Sequence, residues 1–161
     1  DTPEKPGSKT WGNEIPRIVT WTRLTERSTG RSFYVFNTHW DHRHQGSREK
    51  AGELLAKRIA DRRHADEPVV VMGDFNAIET NPGVMRLTAP PLSLIDTFLH
   101  LHPNEPLRGT INFWGAKRRE QWKIDHILVS PGADIRSASI RREDMDQVSD
   151  PFPVIAEIAF P

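Results

Sequence analysis

Four consecutive apolar residues, Val69-Val70-Val71-Met72, run into Gly73-Asp74-Phe75-Asn76 and follow a segment of helical periodicity. A short unbroken apolar run of this kind predicts a strand covered on both faces, as in the interior of an α/β sheet. In the preceding segment Ala51, Leu54, Leu55, Arg58 and Ile59 recur at three and four residues, while Glu49, Glu53, Lys57 and Asp61 take the other face. That spacing predicts an amphipathic helix from Ser47, the candidate cap, with Glu53 and Lys57 as an i,i+4 pair and residues 66–68 closing it. Helix followed by buried strand places the chain in the α/β class.

The rest is consistent with that class. Residues 18–24 and 33–40 read as strands around a turn at 25–32 with Thr29-Gly30 at its tip, an antiparallel hairpin. Residues 1–16 hold Pro3, Pro6, Gly7, Gly12 and Pro16 and read as a loop-like approach segment. Further on, Asn81-Pro82-Gly83, Pro90-Pro91 and the prolines at 103 and 106 mark turns around an apolar segment at 92–101. Strands are expected at 124–129, 135–140 and 154–160. With 161 residues and no evident linker, the chain reads as a single α/β unit.

Charge and cysteine content narrow the chemistry. Lys+Arg and Asp+Glu each total 22, so the formal net charge is zero and a generic basic coat for nucleic acid is excluded. The absence of cysteine excludes disulfides, thiolate zinc sites and cysteine nucleophiles. No apolar run approaches the roughly 20 residues a membrane-spanning helix needs.

Several polar groups stand where a sheet would deliver them to one place. Asn37-Thr38-His39-Trp40-Asp41-His42 ends the second strand, with His39 and Asp41 on one face and His42 on the other. It reads as a hydrogen-bonded loop start or as a site, and it lies one residue from the H-x-H-x-D-H pattern of dizinc hydrolases. Asp74 and Asn76 leave the buried strand at its carboxyl end, where α/β proteins hold ligands; a plain turn is the other reading. Asp125 sits in an otherwise apolar strand, where an unpaired carboxylate costs several kcal/mol, so a partner is expected, such as a histidine it orients. Asp150 precedes the last strand in a proline-rich turn. Thr110-Ile111-Asn112-Phe113-Trp114 alternates polar groups with aromatics, for which core packing is the simpler account.

Taken in order, Asn-Thr-His at 37 to 39, Gly-Asp-Phe-Asn at 73 to 76, Thr-x-Asn-Phe at 110 to 113, Ile-Asp-His at 124 to 126 and Ser-Asp-x-x-Pro-Val at 149 to 154 resemble the endonuclease/exonuclease/phosphatase family. The resemblance covers nearly the whole chain. It implies a deoxyribonuclease I-like four-layer α/β sandwich and divalent-metal-dependent hydrolysis of phosphate esters, with magnesium, or else manganese, as cofactor. It implies that His39 binds or polarises the scissile phosphate, that Asp74 positions and activates the attacking water, and that Asp125 orients a catalytic histidine. Asn76, Thr110 and Asn112 are implied as substrate-binding, and Asp150, Asp74 and Asn76 as metal-binding. Oxygen donors suit magnesium better than zinc, which weighs against the dizinc pattern.

Two departures set further expectations. Where the family has Ser-Asp-His, this chain has Ser149-Asp150-Pro151, and proline has no titratable or donor group to replace the histidine. His126 is no substitute, because adjacent strand positions face opposite ways. The family also draws an asparagine and a metal-binding glutamate from an earlier half of its domain, which Glu4 and Glu14 do not match. The expectation is therefore a partial domain with impaired activity, weak metal binding, an exposed apolar sheet face and self-association. The alternative is a non-catalytic relative that binds a phosphorylated ligand or a protein partner. The phosphate-ester substrate is not specified by these residues; nucleic acid is not favoured, since Arg62-Arg63, Lys117-Arg118-Arg119 and Arg141-Arg142 are only short basic clusters.

Overall fold

The computed structural model describes residues 2–115, 121–143 and 148–161, so the cluster Lys117-Arg118-Arg119 lies outside the described residues. Residues 2–18 contain neither helix nor strand and are tied down by ion pairs of Glu4 with Arg58 and of Glu14 with Arg43. The hairpin follows. β1 (Val19–Thr25) and β2 (Ser32–His39) pair antiparallel, with Val19 opposite Thr38 and Thr25 opposite Ser32. The chain turns between them at Gly30, whose positive φ of 73° suits a residue without a side chain.

Helix α1 (Gln45–Ala60) carries the chain across to β3 (Val69–Asp74), which lies parallel to β2 with Tyr34 beside Val69 and His39 beside Asp74. After α2 (Pro82–Thr88) come a two-residue strand β4 (Ile95–Asp96), the short helix α3 (Thr97–Leu101) and β5 (Asp125–Val129). Together they complete a five-stranded sheet in the order β1-β2-β3-β5-β4, with β5 antiparallel to both its neighbours. β6 (Asp134–Ile140) and β7 (Val154–Ala159) form a separate antiparallel pair.

The strand and helix periods select the main core. Tyr34 and Phe36 of β2, Val69 and Val71 of β3 and Leu128 of β5 meet Leu55 and Ile59 of α1 and Val84 and Leu87 of α2. The two helices touch closely because Gly52 has no side chain: a Cβ there would stand 2.2 Å from the carbonyl oxygen of Gly83. A second cluster joins Phe98 of α3 to Ala138 and Ile140 of β6 and to Phe152. On the outer strand β1 every residue is exposed, and Ile18, Val19, Trp21 and Leu24 present apolar surface there.

Three local expectations are corrected. The helix starts before Ser47: His44 is the cap, its Nδ1 accepting the Ser47 amide at 3.0 Å, while the Ser47 hydroxyl donates back to the His44 carbonyl at 2.8 Å. An imidazole nitrogen supplies the same acceptor a serine would. The helix ends at Ala60, capped by Asp61 rather than at 66–68, and Lys57 pairs with Asp61 instead of Glu53. In β3 only Val69, Val70 and Val71 are buried; Met72 is exposed.

Candidate active site

The register of the sheet builds the first part of the site. His39 closes β2 beside Asp74, and Asp74 closes β3 opposite Asp125, the first residue of β5. One row across three strands thus carries an imidazole and two carboxyls, with His39 Nε2 3.4 Å from Asp74 Oδ2. Gly73 makes the row compact: its φ is 134°, and a Cβ would lie 1.9 Å from the Thr38 carbonyl oxygen.

Beyond the row the chain turns at once, and Asp41 and Asn76 leave the strand geometry. Asp41 does not share a face with His39; its Oδ1 accepts the amides of Arg43 and His44, both at 2.8 Å, ahead of α1. Asn76 adopts a positive φ of 49° and donates its amide to Asp74 Oδ1 at 2.7 Å. Its side-chain Nδ2 donates to the Trp40 carbonyl at 2.9 Å. Turn and site readings therefore coincide here: Asn76 lashes the exits of β2 and β3 together and fixes the Asp74 carboxylate.

The second part comes from two loops. Thr110 Oγ1 accepts the amides of Ile124 and Asp125 at 3.1 and 3.4 Å, and the Thr110 carbonyl accepts the Phe152 amide at 2.8 Å. That stitches the start of β5 to the segment entering β7, which carries Asp150. Asp150 Oδ1 accepts the amides of Asn112 and Phe113 at 3.2 and 3.0 Å, and Asn112 Nδ2 donates to the Ser149 carbonyl at 2.8 Å. Thr110 and Asn112, implied as substrate-binding, are instead fully buried and brace these loops. Phe113 and Trp114 adopt positive φ angles of 49° and 57° and are exposed rather than packed in the core.

Electrostatics distinguish the carboxyls. Burial pushes the Asp125 carboxyl up to about 7, and the charges of Asp74 and Asp150 add to that push against the hydrogen bond from Thr110. Asp125 Oδ2 is buried and among the described residues has no hydrogen-bond partner, so the histidine partner expected for it is not found there. Burial also raises the Asp74 carboxyl, opposed by the Asn76 amide and His39, and it lowers His39 despite the Asp74 charge. Burial thus favours the neutral imidazole of His39.

Three residues of this region, Asp96, Lys123 and Arg17, escaped sequence reasoning. His126 faces away from Asp125, as alternation requires, into a buried network with Asp96 and Lys123. The signal for Asp96 was an acid in the apolar stretch Leu94-Ile95-Asp96, of the same kind that singled out Asp125. Arg17 joins His39, Asn37, Gly73 and Asp74 around a cleft of about 400 Å³. Nothing in its sequence surroundings marks it.

A central sheet backed by two helices, with His39, Asp74 and Asp125 in one row at its strand ends, defines a mixed α/β protein of the deoxyribonuclease I-like kind. The chain belongs to the endonuclease/exonuclease/phosphatase family, whose sequence model matches residues 2–150. Among solved structures it resembles an endonuclease/exonuclease/phosphatase of Bacteroides vulgatus, at 24% identity and a TM-score of 0.82, over 96% of this chain and 59% of that one. The mannosyl-6-phosphatase of Bacteroides thetaiotaomicron is 27% identical, with a TM-score of 0.75 over 95% of this chain and 61% of that one. The human Nocturnin catalytic domain, solved with bound sulfate, matches at 23% identity and a TM-score of 0.73, over 90% and 53% of the two chains. An uncharacterized protein of Acanthamoeba polyphaga mimivirus is 33% identical over 79 residues, 47% of this chain and 29% of the viral one. The chain thus spans between 53% and 61% of these solved relatives' length, and 29% of the viral protein's.

Proposed function

We propose that this chain carries the water-activating end of a divalent-metal-dependent phosphoesterase. The observation that supports this most directly is the gathering of His39, Asp74 and Asp125 in one row, with Asp150 braced close enough to act on Asp125. Asp74, its carboxyl raised by burial, takes a proton from the water that attacks phosphorus as the bond to the leaving oxygen breaks. Neutral His39 beside it offers an N–H to a phosphoryl oxygen. Asn76 keeps Asp74 in place and presents its remaining side-chain oxygen, while Thr110 and Asn112 act through the loops they hold.

The donor set suits a hard cation. It is made of oxygen, and a buried carboxyl oxygen lacking a partner amid like charges is what a bound cation would relieve. Asp150, Asp74 and Asn76 would hold the ion, with magnesium the best match and manganese second. Bound there, the ion supplies Lewis-acid stabilisation of charge growing on phosphoryl oxygens. Among the described residues no group of three or more His, Cys, Asp or Glu side chains closes around one point, so affinity is expected to be weak.

Pro151 stands where the family's histidine would face Asp125, and activity is expected to be impaired accordingly. Hydrolysis of bis-p-nitrophenyl phosphate and of p-nitrophenyl phosphate with and without magnesium tests the reading. Metal-dependent turnover should appear, fall at least a hundredfold in Asp74→Ala and rise in Pro151→His. Inertness of both wild type and Pro151→His toward every phosphoester offered would instead favour a non-catalytic relative that binds phosphorylated ligands, for which Pro151 is the motive. The exposed apolar residues of β1 lead us to expect self-association, checked by light scattering.

A further inference from the structure

We infer that Arg17 is the anion-gripping residue of this site, and that it tilts the cleft toward a doubly charged phosphate monoester over a singly charged diester. The inference rests on the phosphoester reading and deepens it by naming the charge state of the substrate.

Arg17 lies just before β1, on the wall of the same cleft as His39 and Asp74. Its side chain is half-buried, and its Nε is buried with no hydrogen-bond partner among the described residues. Arginines elsewhere meet carboxylates: Arg23 with Glu67, Arg43 with Glu14 and Arg108 with Glu79. Among the described residues no carboxylate stands within ion-pair distance of Arg17. Its charge nevertheless reaches the site, favouring ionised Asp74 and opposing protonation of His39.

A guanidinium donor withdrawn from water and left unbonded is costly, more so than a neutral donor because the group is charged. A structural arginine removes that cost by meeting a carboxylate or a carbonyl. Arg17 instead lines a cleft whose one lining carboxylate is Asp74, and no ion pair joins the two. A planar fork of N–H groups matches two phosphoryl oxygens at once, which a lysine ammonium does not. At one distance, a guanidinium attracts a dianion twice as strongly as a monoanion. Loss of Arg17 must therefore weaken a monoester more than a diester, whatever the remaining groups contribute.

The test is a titration of the 161-residue chain by NMR, at millimolar magnesium and about pH 8, with methyl phosphate as the dianion and dimethyl phosphate as the monoanion. Wild type should bind methyl phosphate more tightly, with shifts at His39 and Asp74. Arg17→Gln should weaken methyl phosphate at least tenfold and dimethyl phosphate about threefold, and Arg17→Lys should recover part of the loss but not all. Denaturant unfolding of both variants should match wild type, because among the described residues Arg17 forms no ion pair with a carboxylate; should Arg17→Gln not fold, Arg17→Lys carries the comparison. Methyl phosphate binding within twofold of wild type in the variants, or equal losses for both esters, would overturn the assignment. So would a wild type that binds neither ester. The phosphoester reading stands or falls separately, on hydrolysis and its loss in Asp74→Ala.

Discussion

Asp125 and His126 are neighbours on one strand and have opposite fates. His126 faces a closed network: Nδ1 lies 2.7 Å from Asp96 Oδ2, and Nε2 lies 2.9 Å from the Ala77 carbonyl. Lys123 Nζ completes it, donating to Asp96 Oδ2 at 2.7 Å and to the Asp125 carbonyl at 2.8 Å. Burial would raise the Asp96 carboxyl, but the hydrogen bond from His126 and the Lys123 charge outweigh it and hold the group well below the usual range. On the other face Asp125 keeps a buried oxygen with no partner and a carboxyl raised to about 7. The difference teaches how to tell two kinds of buried polarity apart. In the His126 network His126, Asp96 and Lys123 find partners in one another; on the face toward the site Asp125 is left a partner short.

The largest effect should come from breaking the closed side. Asp96→Asn retains an acceptor for the Phe98 and Leu99 amides but leaves Lys123 buried without its counter-charge. A loss of about 3–5 kcal/mol is expected in denaturant unfolding at neutral pH. A loss below about 1 kcal/mol would mean that the network does not secure β5, and the contrast with Asp125 would dissolve.

The open side should respond with the opposite sign. Asp125 has its folded pKa raised, so its contribution is most favourable below the unfolded carboxyl pKa of about 4 and is lost as pH rises to about 7. Asp96, with its pKa lowered, stabilises above about pH 4 and loses that contribution as pH falls further. In metal-free buffer at pH 8, Asp125→Asn should therefore gain on the order of 2–4 kcal/mol over wild type and lose the slope between pH 4 and 7. Magnesium added to wild type should flatten the same slope. If Asp125→Asn is no more stable at pH 8 than at pH 4 relative to wild type, the carboxyl is not held in an uncompensated site.

This asymmetry also marks what could be read from the chain directly. Period and punctuation carry local structure, so the hairpin around Gly30, the α1 periodicity and the run at Val69 point to their elements without any knowledge of the fold. Asp125 and Asp74 were legible for a related reason, since an acid in or directly after an apolar strand is expensive and so conspicuous. Partners were not legible. Lys123 is 27 residues from Asp96, and His44 caps α1 because a ring nitrogen meets an amide, which residue type does not announce. Nor could the sequence show that Asp125 would lack a partner, because that depends on every side chain around it. Arg17 was invisible for the complementary reason: its meaning lies in what it fails to contact.

The smallest expected effect sharpens the contrast at its boundary. Thr110 sits between the two regimes: its hydroxyl oxygen accepts two backbone amides, as a structural group would, and its hydroxyl is also the side-chain hydrogen-bond partner that lowers Asp125. Thr110→Val is close in shape and removes both functions. The first loss leaves the buried Ile124 amide without its acceptor and should destabilise by about 1–2 kcal/mol, read by denaturant unfolding. The second should move the Asp125 carboxyl further above its raised value, read by carbon-13 NMR titration of that side chain. A stability loss without movement of Asp125 would place Thr110 wholly with the closed network. Movement of Asp125 with unchanged stability would place it wholly with the site. The joint response is expected, because a single oxygen holds the start of β5 and bears on the carboxyl that β5 delivers.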